Sequence, residues 1–312
     1  MSRSLPPTRI AADESRLSAA PAAAQAQAET RYQERLGLNL PLFYLRVAPL
    51  RWYGLDNQYH RWLQALVQGN LGRSYRDERP VTVLLAEALR MTFPLTALAF
   101  VAAAVSAVFM TLEMAVRPVM RRWVLLLLHL LEALPLFLVG TLLLLLLANP
   151  DALALFPAYG MGYNNPDTGV SLTQLAYLFL PVVCLVLAAL PALVIPLDAA
   201  LQQNWQQPYL VTARAKGLSV RQAWWRHAFP NALLPLLTRL TDMVPTLVGG
   251  AVVVELLFAL PGAGRLLLDA AASRDYPVLL GGVLLTALVR LLAWLAADVL
   301  YAVVDPRLRT AA

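Results

Sequence analysis

The chain alternates between long apolar stretches and short polar connections over residues 92–304. A bilayer core about 30 Å thick requires roughly 20 mostly apolar residues in one helix. Stretches of this length predict membrane spans at residues 92–116, 123–148, 172–197, 233–258 and 278–304. Prolines and glycines within the spans are tolerated where neighbouring helices satisfy the freed backbone groups. The pattern therefore predicts an all-α polytopic membrane protein with five packed transmembrane helices.

The first 91 residues have a different pattern, because they contain no apolar run long enough to span a membrane. Residues 1–33 are rich in alanine, glutamine and serine and lack the apolar core of a signal peptide, which predicts a flexible lead. Residues 34–91 are predicted to form a polar segment outside the membrane. The predicted membrane domain extends over residues 92–309, and residues 310–312 form a tail.

The basic residues of the connecting loops predict how the chain is oriented. Arginine and lysine are concentrated in the connection after the first span, in residues 198–231 and in residues 305–309, so these segments are predicted to be cytoplasmic. The loop 149–171 has no lysine or arginine, and it is predicted to lie outside. Five spans with a cytoplasmic C-terminus place residues 1–91 outside, so we expect a first helix to be missing before Met1.

Composition excludes a water-soluble domain. Hydrophobic residues make up 59% of the chain and charged residues 14%, and the mean hydropathy is +0.59, whereas soluble domains carry about 25% charged residues. The net charge of +6 does not indicate nucleic-acid binding, because no basic run is interleaved with aromatic residues. Residues 1–90 hold 12 basic and 8 acidic residues and so contribute +4 of it outside the membrane, and the cytoplasmic positive charge is confined to the connecting loops and the tail. Cys184 is the only cysteine, so neither a disulfide framework nor a cysteine metal site is expected.

Motifs for nucleotide hydrolysis and for acyl transfer are missing from the sequence. A phosphate-binding loop requires a lysine after a glycine, and the only lysine, Lys216, follows Ala215. The three histidines are far apart, and no G-x-S-x-G elbow is present. We therefore expect no catalysis and no bound cofactor, and any energised work must draw its energy from a partner.

The segment 205–235 between the third and fourth spans carries the strongest functional pattern. A helix rich in small residues ends at Gly217, where glycine is suited to a left-handed cap. After this turn, apolar residues at spacings of three and four predict a short amphipathic helix from Ser219 to Asn231. Two interpretations are open: an interfacial helix lying on the membrane, or a docking element for a cytoplasmic protein.

Several motifs in this chain resemble the permease subunits of binding-protein-dependent ABC importers, in the oligopeptide, dipeptide and nickel branch. Thr212–Ser219 with His227, Asn231 and Pro235 resembles the cytoplasmic "EAA" loop of this branch. Further similar stretches are Gly69–Tyr75, with Asn70 in place of the usual aspartate, Glu132–Gly140, Glu255–Arg265, Arg274–Pro277 and Asp305–Arg309. The chain departs from the pattern at Ile195–Gln203, where the family usually has arginines. The Gly-Asn-Leu-Gly form at Gly69 is similar to the first of the two permeases usual in this branch.

The resemblance implies the type I importer permease fold in the bacterial cytoplasmic (inner) membrane. It implies as partners a second permease, with a heterodimer expected, two ATPase subunits that hold ATP and magnesium, and an extracytoplasmic solute-binding protein. It also implies that the loop couples transport to ATP hydrolysis. The residues assigned to ATPase coupling are Thr212, Ala213, Arg214, Ala215, Lys216, Gly217, Leu218, Ser219, His227, Pro230, Asn231 and Pro235. Those assigned to family motifs with extracytoplasmic contacts are Gly69, Gly72, Pro261, Gly262, Gly264, Arg265, Asp275 and Tyr276.

Ionisable residues at membrane depth are costly and usually face a cavity or one another. Their spacing allows Arg239 to pair with Asp242 and His129 with Glu132. They are interpreted either as a polar lining for the solute or as structural pairs. This set comprises Glu132, Arg239, Asp242, Glu255, Arg290 and Asp298.

Two other functions stay open from the residues alone. An energy-independent channel or secondary carrier would share the spans and leave the loop unexplained. An intramembrane enzyme would require a catalytic cluster that the sequence does not provide.

Overall fold

The computed structural model describes residues 40–41, 43–47, 50–156, 172–205 and 207–304. The predicted lead 1–33, the tail 310–312, the Asp305–Arg309 motif and most of the loop 149–171 lie outside the described residues. The described residues divide into two compact units: those up to Glu87 together with Leu266–Leu284, and those of Ala88–Arg265 together with the residues from Leu285 to Val304.

The described elements are mostly helical. A two-stranded antiparallel hairpin consists of β1 (Leu45–Val47) and β2 (Leu50–Trp52). The first helices are α1 (Gln58–Val67), α2 (Val81–Val116), α3 (Pro118–Glu132) and α4 (Leu136–Leu143), which continues as a π-helical turn, Leu144–Ala148. They are followed by α5 (Leu172–Trp205), α6 (Pro208–Ala215), α7 (Val220–Ala223), a second π-helical turn (Trp224–Ala228), α8 (Phe229–Leu257), α9 (Ala263–Ala272) and α10 (Tyr276–Val304).

Helices within the described part of the chain match the predicted spans. Four are long and apolar enough to cross a membrane, at Val81–Val116, Tyr177–Trp205, Pro235–Leu257 and Tyr276–Leu300. The predicted span 123–148 is instead a pair of helices, Pro118–Glu132 and Leu136–Ala148, bent by 108°. The pair raises the number of spans to five if it crosses as one unit. The bend falls at Pro135, whose extended ψ of 141° and missing N–H end the first helix and begin the second.

Helix α2 begins at Val81 rather than at residue 92, so its first turns include the end of the segment predicted as polar. Glu87 and Arg90 interrupt the apolar residues just before the predicted span, but a helix does not require a continuous apolar run. Val81, Leu84, Leu85 and Ala88 are buried at helical spacing, and the charged residues lie on the other side.

The core of the second unit forms around α5, in whose apolar stretch 61% of the residues are buried. Helix α2 contributes Ala99, Ala103 and Ala107, each fully buried, and the four-residue spacing puts them on one face. Small residues allow the backbones of membrane helices to approach closely. The buried residues Leu193 on α5 and Val254 on α8 belong to the same apolar cluster.

A salt bridge joins α3 to α5 in this unit. The guanidinium of Arg121 donates to both carboxylate oxygens of Asp198, with Nη2 to Oδ2 at 2.7 Å and Nε to Oδ1 at 3.1 Å. The Asp198 side chain is almost fully buried. A bidentate pair of this kind fixes the relative orientation of the two side chains as well as pairing their charges. Asp198 lies within Ile195–Gln203, where the chain departs from the family pattern, and it is held by an arginine on a neighbouring helix.

Candidate functional site

The loop between α5 and α8 begins with a helix that ends in a Schellman cap. Helix α6 is followed by Gly217 at φ +89°. The Gly217 N–H donates to the carbonyl of Arg214 at 2.9 Å, and the Leu218 N–H donates to the carbonyl of Ala213 at 3.3 Å. The predicted left-handed cap at Gly217 is confirmed. Ser219 and Gln222 then form a capping box that starts α7.

The predicted helix from Ser219 to Asn231 is not a separate element. Helix α7 continues through the π-helical turn Trp224–Ala228 directly into α8, which is the fourth predicted span. The Phe229 N–H bonds to the carbonyl of Trp224, five residues back. Pro230 has no N–H and its ring would crowd the carbonyl four residues earlier, so the wider π turn accommodates it without a break.

One face of this continuous helix is buried against its own protein. Ala223, Trp224 and Ala228 are fully buried and form a cluster with Leu210 of α6 and Leu197 of α5. The Trp224 ring stacks on Phe229 with centroids 4.8 Å apart. Among the described residues, none accepts a hydrogen bond from the Trp224 indole N–H. This cover by protein weighs against the interpretation of an interfacial helix lying on the membrane.

The opposite face is exposed and basic. An open depression of about 770 Å³ lies on this face, and it has a mixed basic and aromatic lining: Lys216, Gly217, Leu218, Arg221, Gln222, Trp225 and Arg226. Trp225 is exposed although its ring packs edge-on against Trp224. Within the described part of the chain, a Cβ atom added at Gly217 would have no neighbour within 4 Å, so its φ of +89°, rather than crowding, is what favours glycine there.

The remaining residues assigned to coupling hold the loop together. The Asn231 amide donates to the Tyr209 hydroxyl at 2.8 Å and to the carbonyl of His227 at 2.9 Å. The Thr212 hydroxyl donates to the carbonyl of Pro208, and the Arg214 guanidinium lies over the Trp205 ring, 5.9 Å from its centroid. Ala213 is buried, His227 is half-buried, and Ala215, Pro230 and Pro235 are exposed.

An ion pair connects the loop to a different span. Arg221 Nη2 lies 2.8 Å from Glu113 Oε1, near the end of α2, and Arg117 Nε lies 3.6 Å from Glu113 Oε2. The Glu113 side chain is about one third exposed. The loop therefore contacts α2 as well as continuing into α8.

A second group surrounds Glu255, which is fully buried near the end of α8. The Thr92 hydroxyl donates to Oε1 at 2.5 Å, and the Arg265 N–H donates to Oε2 at 3.1 Å. The same Thr92 hydroxyl accepts the Ala263 N–H at 2.8 Å. Ala263 and Arg265 lie in the first turn of α9, so the carboxylate occupies the N-terminus of that helix.

The glycines of this motif are required by close contacts. A Cβ atom at Gly262 would overlap the Glu255 carboxylate, and one at Gly264 would lie 2.5 Å from the Val252 Cα. Pro261 is half-buried beside them. The motif Glu255–Arg265 is therefore one folded unit that closes around a buried carboxylate.

A third group joins the motifs Gly69–Tyr75 and Arg274–Pro277 within the first unit. Asp275 is buried; it accepts the Ser74 hydroxyl at 2.5 Å and the Tyr75 N–H at 3.0 Å. Gly69 and Gly72 have φ of +73° and +85°, and they shape the turn that presents Ser74. The contact joins Gly69–Tyr75 to Arg274–Pro277, and the adjacent Tyr276 is exposed.

The residues predicted at membrane depth do not form a cluster. His129 Nδ1 lies 3.6 Å from Glu132 Oε2, which confirms that pair. Arg239 and Asp242 are both exposed and form no ion pair with each other within the described part of the chain, so the pairing that their spacing allows is not formed. Arg290 lies over the Trp294 ring of its own helix, 4.8 Å from the centroid, and Asp298 is exposed. Of the six residues, Glu255 alone is buried.

Three residues with clear structural roles escaped the sequence analysis. Thr92 and Ser74 each bond to a carboxylate more than 160 positions away, and no sequence pattern marks such a pair. Glu113 had a signal, because a carboxylate near the end of a predicted span and before three arginines is a candidate for pairing. Within the described residues, no group of three or more histidine, cysteine, aspartate or glutamate side chains could hold a metal ion.

The fold and the loop define a polytopic α-helical membrane protein with a basic, exposed segment between two of its spans. Residues 99–310 match the family "Binding-protein-dependent transport system inner membrane component", and the chain belongs to this family. It is a permease subunit of an ABC importer, a membrane component without catalytic activity of its own. Such permeases act together with an ATPase and a binding protein.

Relatives with described roles are peptide permeases. The chain is 33% identical over 263 residues to the oligopeptide transport system permease protein AppB of Bacillus subtilis, covering 82% of each. It is 40% identical over 143 residues to the dipeptide transport system permease protein DppB of Escherichia coli, covering 46% of this chain and 42% of that protein. A di/tripeptide transport system permease protein DppB of Pseudomonas aeruginosa is 40% identical over 147 residues, covering 46% of this chain and 43% of that protein.

These matches confirm the resemblance drawn from the motifs and the assignment to importer permeases. The coupling roles assigned to individual residues of the loop 205–235, and the extracytoplasmic contacts assigned to residues of the family motifs, stay predictions.

Proposed function

We propose that this permease forms half of a membrane pathway for peptide-like solutes, paired with a second permease of the same family as a heterodimer. The described roles of AppB and the two DppB proteins, which concern oligopeptides, dipeptides and di/tripeptides, support this choice of solute. Selectivity in such a system resides largely in the solute-binding protein, so the scattered charges of the spans need not identify the solute.

Coupling to ATP hydrolysis takes place at the loop 205–235. The observation that carries this assignment is the rigid connection of the exposed basic face to a span: the helix that bears Arg221 and Arg226 continues into α8 without a break. A segment held in this way transmits a displacement at its surface to the membrane helix. The basic depression fits a partner surface with acidic groups around an apolar pocket for Trp225.

The sidedness of the complex follows from the positive charges. The loop and the C-terminus face the cytoplasm of a bacterial cell, where two ATPase subunits bind ATP and magnesium. Residues 34–80 and the connection from Pro261 to Pro277 face the other side, where the solute-binding protein delivers its cargo. This chain contributes no group to the nucleotide site.

Replacement of Gly217 tests the docking assignment. Gly217→Asp adds a negative side chain to the basic depression, and we expect the ATPase to be lost when the permease is purified. Gly69→Asp is the matched control, because Gly69 also has a positive φ and also has no atom within 4 Å of an added Cβ. Both changes carry a similar backbone cost, so the difference between them reports on the docking surface.

The measurement is the amount of ATPase that copurifies with each variant at equal levels of inserted permease. Wild-type amounts of ATPase with the Gly217 variant would contradict docking at this loop. Solute-stimulated ATP hydrolysis by the complex in proteoliposomes tests the function itself. Hydrolysis that is indifferent to the presence of this subunit would contradict the role of importer permease.

A further inference from the structure

Helix α1 is amphipathic, and the described chain covers its apolar face only in part: Trp62 and Leu66 are half-buried, whereas Tyr59, Leu63 and Val67 are exposed. Its apolar residues recur at spacings of three and four and occupy one continuous arc, made up of Tyr59, Trp62, Leu63, Leu66 and Val67. Arg61, Gln64 and Gln68 lie on the other side, and all three are exposed. No residue of α1 is buried.

The exposed apolar face of α1 extends onto the preceding hairpin segment. Val67 is 82% exposed, Trp52 66% and Phe43 59%. The rings are in contact, with 6.0 Å between the centroids of Phe43 and Tyr59 and 6.2 Å between those of Tyr44 and Trp52. A patch of this kind on a protein in water marks a surface that binds something apolar.

The end of α1 lies close to the start of a span. The chain from Val67 to Gly72 reaches at most about 17 Å when fully extended. The Gly72 carbonyl accepts the N–H of Val81, the first residue of α2, at 3.0 Å. A Cβ atom at Gly281 of α10 would lie 2.8 Å from Val81 Cγ1, so the beginnings of two membrane helices lie side by side at this level.

We propose that α1 lies in the membrane–water interface, with the apolar face that ends at Val67 inserted among the lipids and the face of Arg61 and Gln64 in water. The apolar span of α10 starts at Tyr276 and has 25 residues, a length close to that needed to cross the hydrocarbon layer, so its first turns lie near the boundary of that layer. Helix α1 is tied to this level by the short connection to Val81, which packs beside Gly281. Tyrosine and tryptophan favour the headgroup level, because their rings are apolar and their N–H or O–H groups are polar. A short helix with an aromatic and aliphatic face opposite a polar one is the form that binds there.

A bilayer explains the patch better than a soluble protein partner does. The exposed side chains are aliphatic and aromatic, whereas the charged group of the helix, Arg61, is held on the polar side by Asp56 at 2.8 Å. The patch therefore offers a partner protein no charge of its own, although charge is what steers a soluble partner to its site. The lipids are present wherever the spans are inserted.

Site-directed spin labelling measures which face of α1 contacts lipid. Cys184 is the sole cysteine and is buried, so Cys184→Ala provides a background for single cysteines. Leu63→Cys and Val67→Cys place a nitroxide on the apolar face, and Gln64→Cys and Gln68→Cys place it on the polar face. The labelled chain is reconstituted in nanodiscs of phosphatidylcholine and phosphatidylglycerol, without ATPase or binding protein. If the Cys184→Ala chain fails to insert, the same labels are placed with the buried Cys184 retained.

Dissolved oxygen concentrates in lipid and a nickel chelate concentrates in water, so their collision rates with the label distinguish the two environments. We expect oxygen to dominate at positions 63 and 67 and the nickel chelate to dominate at positions 64 and 68. Equal accessibility on the two faces overturns the proposal. So does low accessibility to both reagents at 63 and 67, which indicates cover by protein. Water exposure at 63 and 67 that is lost only on addition of the solute-binding protein also overturns it and assigns the patch to protein docking.

Because this measurement needs only the inserted chain, its outcome is independent of the Gly217 experiment. The interfacial position of α1 stands or falls separately from the coupling role of the loop.

Discussion

Two glycines of the family motifs are kept small for different reasons. Gly262 faces the carboxylate of Glu255, and a methyl group there would overlap its oxygens. Gly217 faces open space, and its requirement is a positive φ and, in the proposed complex, an approaching ATPase. Substitution at Gly262 therefore tests the fold of this chain, whereas substitution at Gly217 tests its binding.

Gly262→Ala is expected to destabilise the protein by displacing Glu255 from the Thr92 hydroxyl and the Arg265 N–H. Loss of hydrogen bonds to a buried charged group, together with overpacking, costs about 2–4 kcal/mol. The measurement is the unfolding temperature of the purified permease in nanodiscs. Gly249→Ala is the control, because an added Cβ meets nothing within 4 Å there and alanine favours the helix. An unchanged unfolding temperature for the Gly262 variant would count against the tight fit.

At the scale of elements, the loop is joined to the membrane helices in two ways. It continues into α8 through the π-helical turn, and Arg221 bridges to Glu113 on α2. Exposed ion pairs contribute roughly 0.2–1 kcal/mol to stability, so this bridge is too weak to maintain the fold. We expect it to contribute to coupling instead, together with the packing between the same two elements, because Leu112 of α2 belongs to the buried cluster that contains Trp224.

Glu113→Gln is expected to weaken coupling without removing the ATPase. The variant removes no residue that lines the basic depression and releases the positive charge of Arg221 there, so the ATPase should still copurify, while transport per ATP hydrolysed falls. The control is Glu87→Gln, which breaks another ion pair of the same helix, that of Glu87 with Arg79 at 2.5 Å, without touching the loop. That pair is a real interaction, because its hydrogen bond and the negative charge of Glu87 raise the pKa of the Arg79 guanidinium. If both variants transport as efficiently as the wild type, the bridge has no part in coupling.

At the scale of the whole molecule, the sequence predicts the class of the protein and the positions of four spans, because both depend on apolar length, whereas the fifth predicted span is a bent pair of helices. It missed the start of α2 at Val81, since Glu87 and Arg90 end the apolar run without ending the helix. It predicted the cap at Gly217, because that depends on one residue type. The contacts Thr92–Glu255 and Ser74–Asp275 join distant positions and become visible only in the fold. The spacing of Arg239 and Asp242 permits a pair but does not enforce one.

The proposed orientation predicts which residues are reached from each side of the membrane. In the Cys184→Ala background, a cysteine at Asp151 should react with an impermeant maleimide in intact cells. A cysteine at Lys216 should react after the cells are permeabilised, because we assign its loop to the cytoplasm. Both residues are exposed, so burial does not limit either reaction. Labelling of Lys216→Cys in intact cells would reverse the orientation.

The lone lysine of the chain also has a practical consequence for identifying partners by chemistry. Lys216 is exposed beside Gly217 on the rim of the basic depression, and no other lysine is present in the sequence. Apart from the terminal amine, an amine-reactive crosslinker has one attachment point on this permease. A crosslinked peptide that contains Lys216 would therefore report the neighbour of that single position, and its mass would identify the protein that lies against it.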